Sequence, residues 1–337
     1  MARSSKHLPQ LDGGLFLTDG GIETTLIFQE NLELPFFAAF DVLRDERGIE
    51  ALRRYYRRHA AIAVANGVGF ILESATWRAS SDWGAKLGYT PDALDQANRR
   101  AIELLHDLRG ELETARSPMV VSGCVGPRGD GYRPETVMSV GEAEAYHLRQ
   151  IRVFARAAAN MVTAITMTNT SEAVGVVRAA AAEDLPAVIS FTLETDGRLP
   201  TGEYLEEAID LVDHATDGGP AYYMINCAHP THFAHRLVAG ARWMTRIRGL
   251  RANASTRSHA ELDEATTLDS GDPLTLAAQY RELRARHPHL NVLGGCCGTD
   301  ESHSEQIAIA CAPLFHPGGA LALPEPLRRR PEQAIGR

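Results

Sequence analysis

Apolar residues recur along this chain in two alternating rhythms. Short runs such as Leu15-Phe16-Leu17-Thr18, Phe70-Ile71-Leu72 and Met119-Val120-Val121-Ser122 are each followed, further along, by a stretch in which apolar positions return every three or four residues. The first rhythm predicts buried strands and the second amphipathic helices. In 49–66, for example, Ile49, Leu52, Tyr56, Ala60 and Ala63 share one helical face, and Gly67 and Gly69 end it. Strands are expected at 15–18, 70–72, 119–122, 161–167, 187–193, 221–226, 247–251 and 290–293. Helices are expected at 49–66, 91–114, 141–160, 171–182, 203–216, 231–239, 273–286 and 301–311, with Pro91 well placed at a first helical position.

Eight strands alternating with eight helices predict an α/β chain folded as a single-domain (β/α)8 TIM barrel. A doubly wound open sheet is the rival, and it lacks a glycine-rich dinucleotide fingerprint after the first strand. The expected organisation is a flexible N-terminus over 1–12, a barrel over 13–316 and an irregular tail over 317–337.

Composition narrows the function classes. With 44% hydrophobic and 23% charged residues, the 337-residue chain reads as globular with ample core. A formal net charge of −9 argues against a general nucleic-acid or anionic-membrane surface, so small molecules are the expected partners. No apolar run approaches the roughly 20 residues that span a bilayer. Residues 1–12 lack the apolar core of a signal peptide, so a cytoplasmic location is expected.

Chemistry concentrates near the end. Gly294-Gly295-Cys296-Cys297-Gly298-Thr299 sets two adjacent thiols among glycines just after an apolar run, and Ile225-Asn226-Cys227 ends another. Neighbouring side chains of a strand point to opposite faces, so the two thiols converge only if the chain leaves the strand there. Cys227, Cys296 and Cys297 then form a soft, charged site suited to zinc, with one coordination position left for a reactant. The plain alternative is three small buried hydrophobes. Cys124 and Cys311 are read as packing residues, His229 as a minor candidate for a further ligand, and His287-Pro288-His289 as lying on the face opposite the chemistry. Asp19-Gly20-Gly21 is either a simple turn or a binder of an amino group with backbone N–H groups for a carboxylate. A Walker loop, a Gly-x-Ser-x-Gly elbow and a nucleotide fingerprint are all missing.

Taken together, Leu17-Thr18-Asp19-Gly20-Gly21, Ile225-Asn226-Cys227 with Pro230, and Gly294-Gly295-Cys296-Cys297-Gly298 resemble the homocysteine S-methyltransferase family over about residues 12–312. The resemblance implies a zinc ion held by Cys227, Cys296 and Cys297, with Asn226 beside it. It also implies that homocysteine sulfur joins the zinc as a thiolate and attacks an activated methyl group, forming methionine. Asp19 would meet the ammonium and Gly20 and Gly21 the carboxylate. Thr76, Trp77 and Arg78 match a stretch that in relatives helps form the pocket.

Two departures matter. Arg78 stands where one relative places a tyrosine, and an arginine there would repel a cationic methyl donor unless it points away or pairs with a carboxylate. The other lies at the fourth strand. Relatives typically end the fourth strand with a glutamate that helps hold the amine, whereas this chain reads Ile165-Thr166-Met167-Thr168-Asn169-Thr170, with no carboxylate before Glu172. Glu73 and Glu194, near expected strand ends, are candidates to replace it. Because the Asp-x-His-x-x-Gly sequence of a cobalamin module is missing, the expected donor is a sulfonium, with a betaine second. The expected function is a zinc-dependent homocysteine S-methyltransferase of methionine biosynthesis. Its alternatives are the same chemistry on another thiol, or a non-catalytic zinc barrel that binds a thiol metabolite.

Overall fold

The computed structural model describes residues 7–134, 137–264 and 267–315. Its strands are β1 (Phe16–Leu17), β2 (Gly69–Glu73), β3 (Met119–Val125), β4 (Met161–Met167), β5 (Ala187–Thr192), β6 (Pro220–Asn226), β7 (Ile247–Ala252) and β8 (Val292–Gly295). They pair in chain order as a closed barrel, and β8 returns in parallel to β1 with Phe16 opposite Val292. The alternation of apolar runs thus folds as the expected single-domain (β/α)8 barrel.

The principal helices occupy Glu46–Asn66, Pro91–Leu112, Val140–Arg156, Thr170–Ala182, Leu205–Thr216, Pro273–Arg286 and Glu301–Cys311. Their starts follow local chemistry. The Thr90 hydroxyl accepts from Ala93 N at 3.2 Å ahead of Pro91, and Asp272 accepts from Thr275 N at 2.9 Å ahead of Pro273. Each satisfies a main-chain donor that the helix itself leaves open.

Side chains of the strands alternate between two cores. Outward residues such as Phe70, Leu72, Val121, Val162 and Ala164 pack against the helices. Inward residues, among them Phe16, Ile71, Val120, Met161, Val188, Tyr222, Met224 and Val292, fill the barrel interior.

Three expectations are corrected. The helix expected over 231–239 is a single turn, Pro230–Phe233, after which the chain tightens into a turn with Arg236 N donating to Phe233 O at 2.9 Å, while the Arg236 side chain reaches Glu206 at 2.9 Å. Two short helices, Ser81–Lys86 and His259–Asp263, occupy stretches read as connections. Residues 7–12 do not fray. Pro9–Asp12 is a 3-10 turn that stoppers the lower end of the barrel, with Leu8 and Gln10 buried. Gln10 Nε2 donates to Tyr222 Oη at 3.4 Å, and Asn291 Nδ2 donates to the Gln10 carbonyl at 2.7 Å. The buried ends of inward side chains need a cover, and this segment supplies it. Residues 1–6 and the tail expected over 317–337 lie outside the described residues.

Candidate metal-thiolate site

The upper part of the barrel interior is polar. Ser122 Oγ lies 2.7 Å from Thr163 Oγ1 and donates to Glu73 Oε1 at 3.0 Å, while Ser190 Oγ donates to Asn226 Oδ1 at 2.6 Å. Above this layer, at the carboxyl ends of the strands, a cavity of about 320 Å³ opens. It is lined by residues from β1, β2, β3, β4, β6, β7 and β8 or the loops that follow them, the face on which barrel enzymes carry their chemistry.

Cys227, Cys296 and Cys297 meet at its floor, with all three Sγ atoms within 4.8 Å of one another. Cys227 and Cys296 are in disulfide contact, and Cys297 Sγ is 3.9 Å from Cys227 Sγ. In thiolate form, three soft donors so arranged fit a metal ion of zinc's preferences. Among the described residues these cysteines are the only group of three metal-ligating side chains so close together.

The backbone devices differ between the two arms. Gly294 and Gly295 serve close approach, since a Cβ on Gly294 would collide with Thr18 and one on Gly295 with Thr299. Gly298 turns the chain with φ +78°. On the other arm Cys227 itself is left-handed, φ +51°, and so is Thr166 at φ +65°. Such angles cost a non-glycine residue about 1–2 kcal/mol each and are held by their surroundings. Cys227 N donates to Arg251 O at 3.1 Å, and the Cys227 carbonyl accepts from Asn253 Nδ2 at 3.1 Å and His259 Nε2 at 2.5 Å. Asn226 Oδ1 accepts from Thr166 N at 3.0 Å, and its Nδ2 donates to Thr166 Oγ1 at 2.9 Å and faces Cys296 Sγ at 3.9 Å. Thr166 sits where the β4–β5 register shifts, a bulge of the kind found beside active sites.

Beside the sulfurs lies a buried charge cluster. Arg251, near the end of β7, pairs with Asp19 at 2.5 Å and with Glu73, and its Nε donates to the Gly295 carbonyl at 3.1 Å. The Tyr55 hydroxyl lies 3.1 Å from the second Asp19 oxygen. Burial pushes the Glu73 carboxyl up, and Arg251 opposes that shift. Burial also works against the Arg251 charge, but Asp19 and Glu73 outweigh it and hold the guanidinium above its ordinary value. On the cavity wall, burial pushes Glu23 up to about 7, partly offset by its own main-chain N–H.

Tyr132 and His259 complete the wall. The Tyr132 hydroxyl is 3.6 Å from Cys297 Sγ, and its ring lies 4.2 Å from that of His259. Burial raises the Cys297 thiol above its ordinary value, and the Tyr132 contact works the other way.

The sequence-predicted residues sort as follows. Asp19, Gly20, Gly21, Trp77, Arg78 and the three cysteines line the cavity. The Gly21 N–H, expected to meet a carboxylate, donates to Thr299 O at 3.0 Å. Thr76 is buried behind the lining, and its hydroxyl donates to Cys124 O at 2.7 Å. Glu194 stands behind His259 at 3.3 Å and does not itself line the cavity. His229 caps Pro230–Phe233 by accepting from Thr231 N at 3.3 Å, a placement apart from the sulfurs. Arg251, Glu23, Tyr132 and His259 were missed. For Arg251 a signal existed, a charge between Leu250 and Ala252 near the carboxyl end of a barrel strand, the end that carries the chemistry. Glu23, Tyr132 and His259 sit in connections whose folding carries no periodic pattern.

A parallel barrel with three cysteine sulfurs converging at its carboxyl-terminal rim defines a thiolate-site barrel enzyme. Residues 16–311 match the homocysteine S-methyltransferase family, and the chain belongs to that family of methyltransferases. It is 22% identical over 326 residues to homocysteine S-methyltransferase 3 of Arabidopsis thaliana, covering 88% of this chain and 89% of that protein. In fold it is similar to the homocysteine methyltransferase MmuM of Escherichia coli. The oxidized form superposes with a TM-score of 0.71 at 20% identity, covering 90% of this chain and 97% of that one. The metallated form gives 0.70 at 19% identity, covering 89% and 98%. No helix among the described residues is long and apolar enough to cross a membrane.

Proposed function

We propose that the chain binds zinc through Cys227, Cys296 and Cys297 and methylates the thiol of homocysteine, with a sulfonium or betaine-type donor. The convergence of three sulfurs on the cavity floor carries this reading. Zinc, when bound, supplies a cation that favours the thiolate form of an added thiol. The acceptor thiol gives up its proton, its sulfur attacks the methyl carbon, and the donor's bond to that carbon breaks as the new carbon–sulfur bond forms. A sulfonium donor leaves as a neutral thioether, so no charge is stranded in the cavity.

The protein's own residues supply alignment and surroundings. Asn226 and the Cys227 carbonyl contacts hold the ligand-bearing loops in their left-handed turns, which keeps the sulfurs aimed inward. Phe28, Phe37, Trp77 and Tyr132 line the cavity above them, and aromatic faces attract onium cations while excluding water. Holding the two reactants in line then supplies most of the acceleration. Thiolate ligands need reducing surroundings, which supports a cytoplasmic location.

The test is zinc content and methyl transfer to homocysteine from S-methylmethionine, S-adenosylmethionine and betaine. Expected are about one zinc per chain and turnover with at least one donor, both lost in C297A. Retention of both in that variant overturns the reading. Zinc binding without turnover of any donor would favour the non-catalytic alternative.

A further inference from the structure

An α-amino acid acceptor brings an ammonium that needs a carboxylate whose charge is not already matched. Among the described residues five carboxylates line the cavity: Asp19, Glu23, Glu73, Asp130 and Asp269. Asp19 and Glu73 share Arg251, and their remaining oxygens face Tyr55 and Ser122. Asp130 accepts from the main-chain N–H groups of Tyr132 and Arg133, and Asp269 from Ser255 Oγ and Gly271 N. The fourth-strand position offers the hydroxyl of Thr166, already bonded to Asn226.

Glu23 differs from all of these. Among the described residues its carboxylate makes no ion pair and accepts no hydrogen bond from another residue, while it lines the cavity. It also sits beside the sulfurs. The Asp19–Thr24 turn packs directly on the Cys296–Gly298 turn, with Thr24 Oγ1 accepting from Gly298 N at 3.2 Å and a Cβ on Gly21 reaching 2.8 Å from Cys296 O. Glu23 and Cys297 line the same cavity. Arg78 lines the same cavity, so the wall presents both signs that a zwitterion requires.

From this arrangement we infer that Glu23, rather than Asp19, is the carboxylate that binds the acceptor's ammonium and selects an α-amino thiol over a thiol without an amino group. Asp19 instead holds Arg251 in place. This rests on the homocysteine reading above. An ammonium seated there would also match the charge of a carboxylate that burial otherwise disfavours.

The experiment compares homocysteine with 4-sulfanylbutanoate, the same chain without the amino group, as acceptors for the zinc-loaded wild type, E23Q and E23D. A charge-assisted hydrogen bond corresponds to roughly ten- to hundredfold in affinity. E23Q should raise the KM for homocysteine by about that factor, leave 4-sulfanylbutanoate turnover within about twofold and erase the wild-type preference, and E23D should recover part of it. Equal losses on both thiols in E23Q, or an unchanged preference, overturn the assignment while leaving homocysteine methylation standing. A wild type that favours 4-sulfanylbutanoate overturns both.

Discussion

Arg251 Nη2 lies 2.5 Å from Asp19 Oδ1, joining the end of β7 to the residues just after β1 across the barrel mouth. The same guanidinium reaches Glu73 at the end of β2, so one cation ties together three strand ends that are distant in sequence. Nothing in the local pattern around Asp19 announces this, and it changes what Asp19 is for.

Removing that cation should be costly. R251M leaves two buried carboxylates without their counter-charge, and breaking a buried pair from one side costs about 3–5 kcal/mol. Urea denaturation of R251M should show a loss of that size. The triple variant R251M/D19N/E73Q should recover part of it, because the stranded charges are gone. A single variant within about 0.5 kcal/mol of wild type would mean that water replaces the guanidinium freely.

Asn226 bridges β6 to the bulge of β4 while facing Cys296. N226A removes the acceptor of Thr166 N and Ser190 Oγ. Groups that orient metal ligands typically contribute 10- to 100-fold in affinity. Competition with a chromophoric chelator should show zinc affinity falling by about that factor in N226A, with the barrel's far-ultraviolet circular dichroism retained. Unaltered zinc affinity would make Asn226 a packing residue only.

Asp300 caps Glu301–Cys311, accepting from Ser302 N at 3.0 Å and lying 2.9 Å from His303 Nδ1. These contacts hold its carboxyl well below the usual range, the His303 contact foremost. The folded state therefore binds its proton later than the unfolded chain as pH falls. Its contribution is present above about pH 4 and is lost as acid protonates it. D300A should cost about 1 kcal/mol at neutral pH and progressively less in acid, measured as denaturant midpoints across pH. A pH-independent difference would contradict the assignment.

Leu8 and Gln10 seal the lower end of the barrel. Deleting residues 1–12 exposes Tyr222 and Met161 and removes one of the two acceptors of Asn291 Nδ2, leaving the Gly14 carbonyl. Loss of one buried leucine alone corresponds to about 2–5 kcal/mol. The truncated protein should melt several degrees lower, with the thiolate site intact because it lies at the opposite end. An unchanged melting temperature would return this segment to the status of a loose terminus.

Much of the barrel was legible because its strands are buried on both faces and its helices on one. That difference writes itself as continuous apolar runs against a three-to-four-residue return. The strands at 161–167 and the helices at 273–286 and 301–311 match residue for residue. The short helices Ser81–Lys86 and His259–Asp263 were not legible, since a turn or two of helix in a connection is held by contacts rather than periodicity. The cysteine cluster was legible because two adjacent thiols among glycines at a strand end make little sense as packing.

By itself, then, the sequence determined the alternation of elements, the strand ends that carry Cys227 and the Cys296-Cys297 pair, and the family to which those motifs belong. Only the tertiary structure decided which charges meet. Arg251 pairs with Asp19 and Glu73, Gly21 spends its N–H on Thr299, and Glu23 faces the cavity with no ion pair among the described residues. The physical reason is closure. Hydrophobic burial is set by local pattern, whereas the partner of a buried charge is set by which strand ends a closed barrel brings side by side.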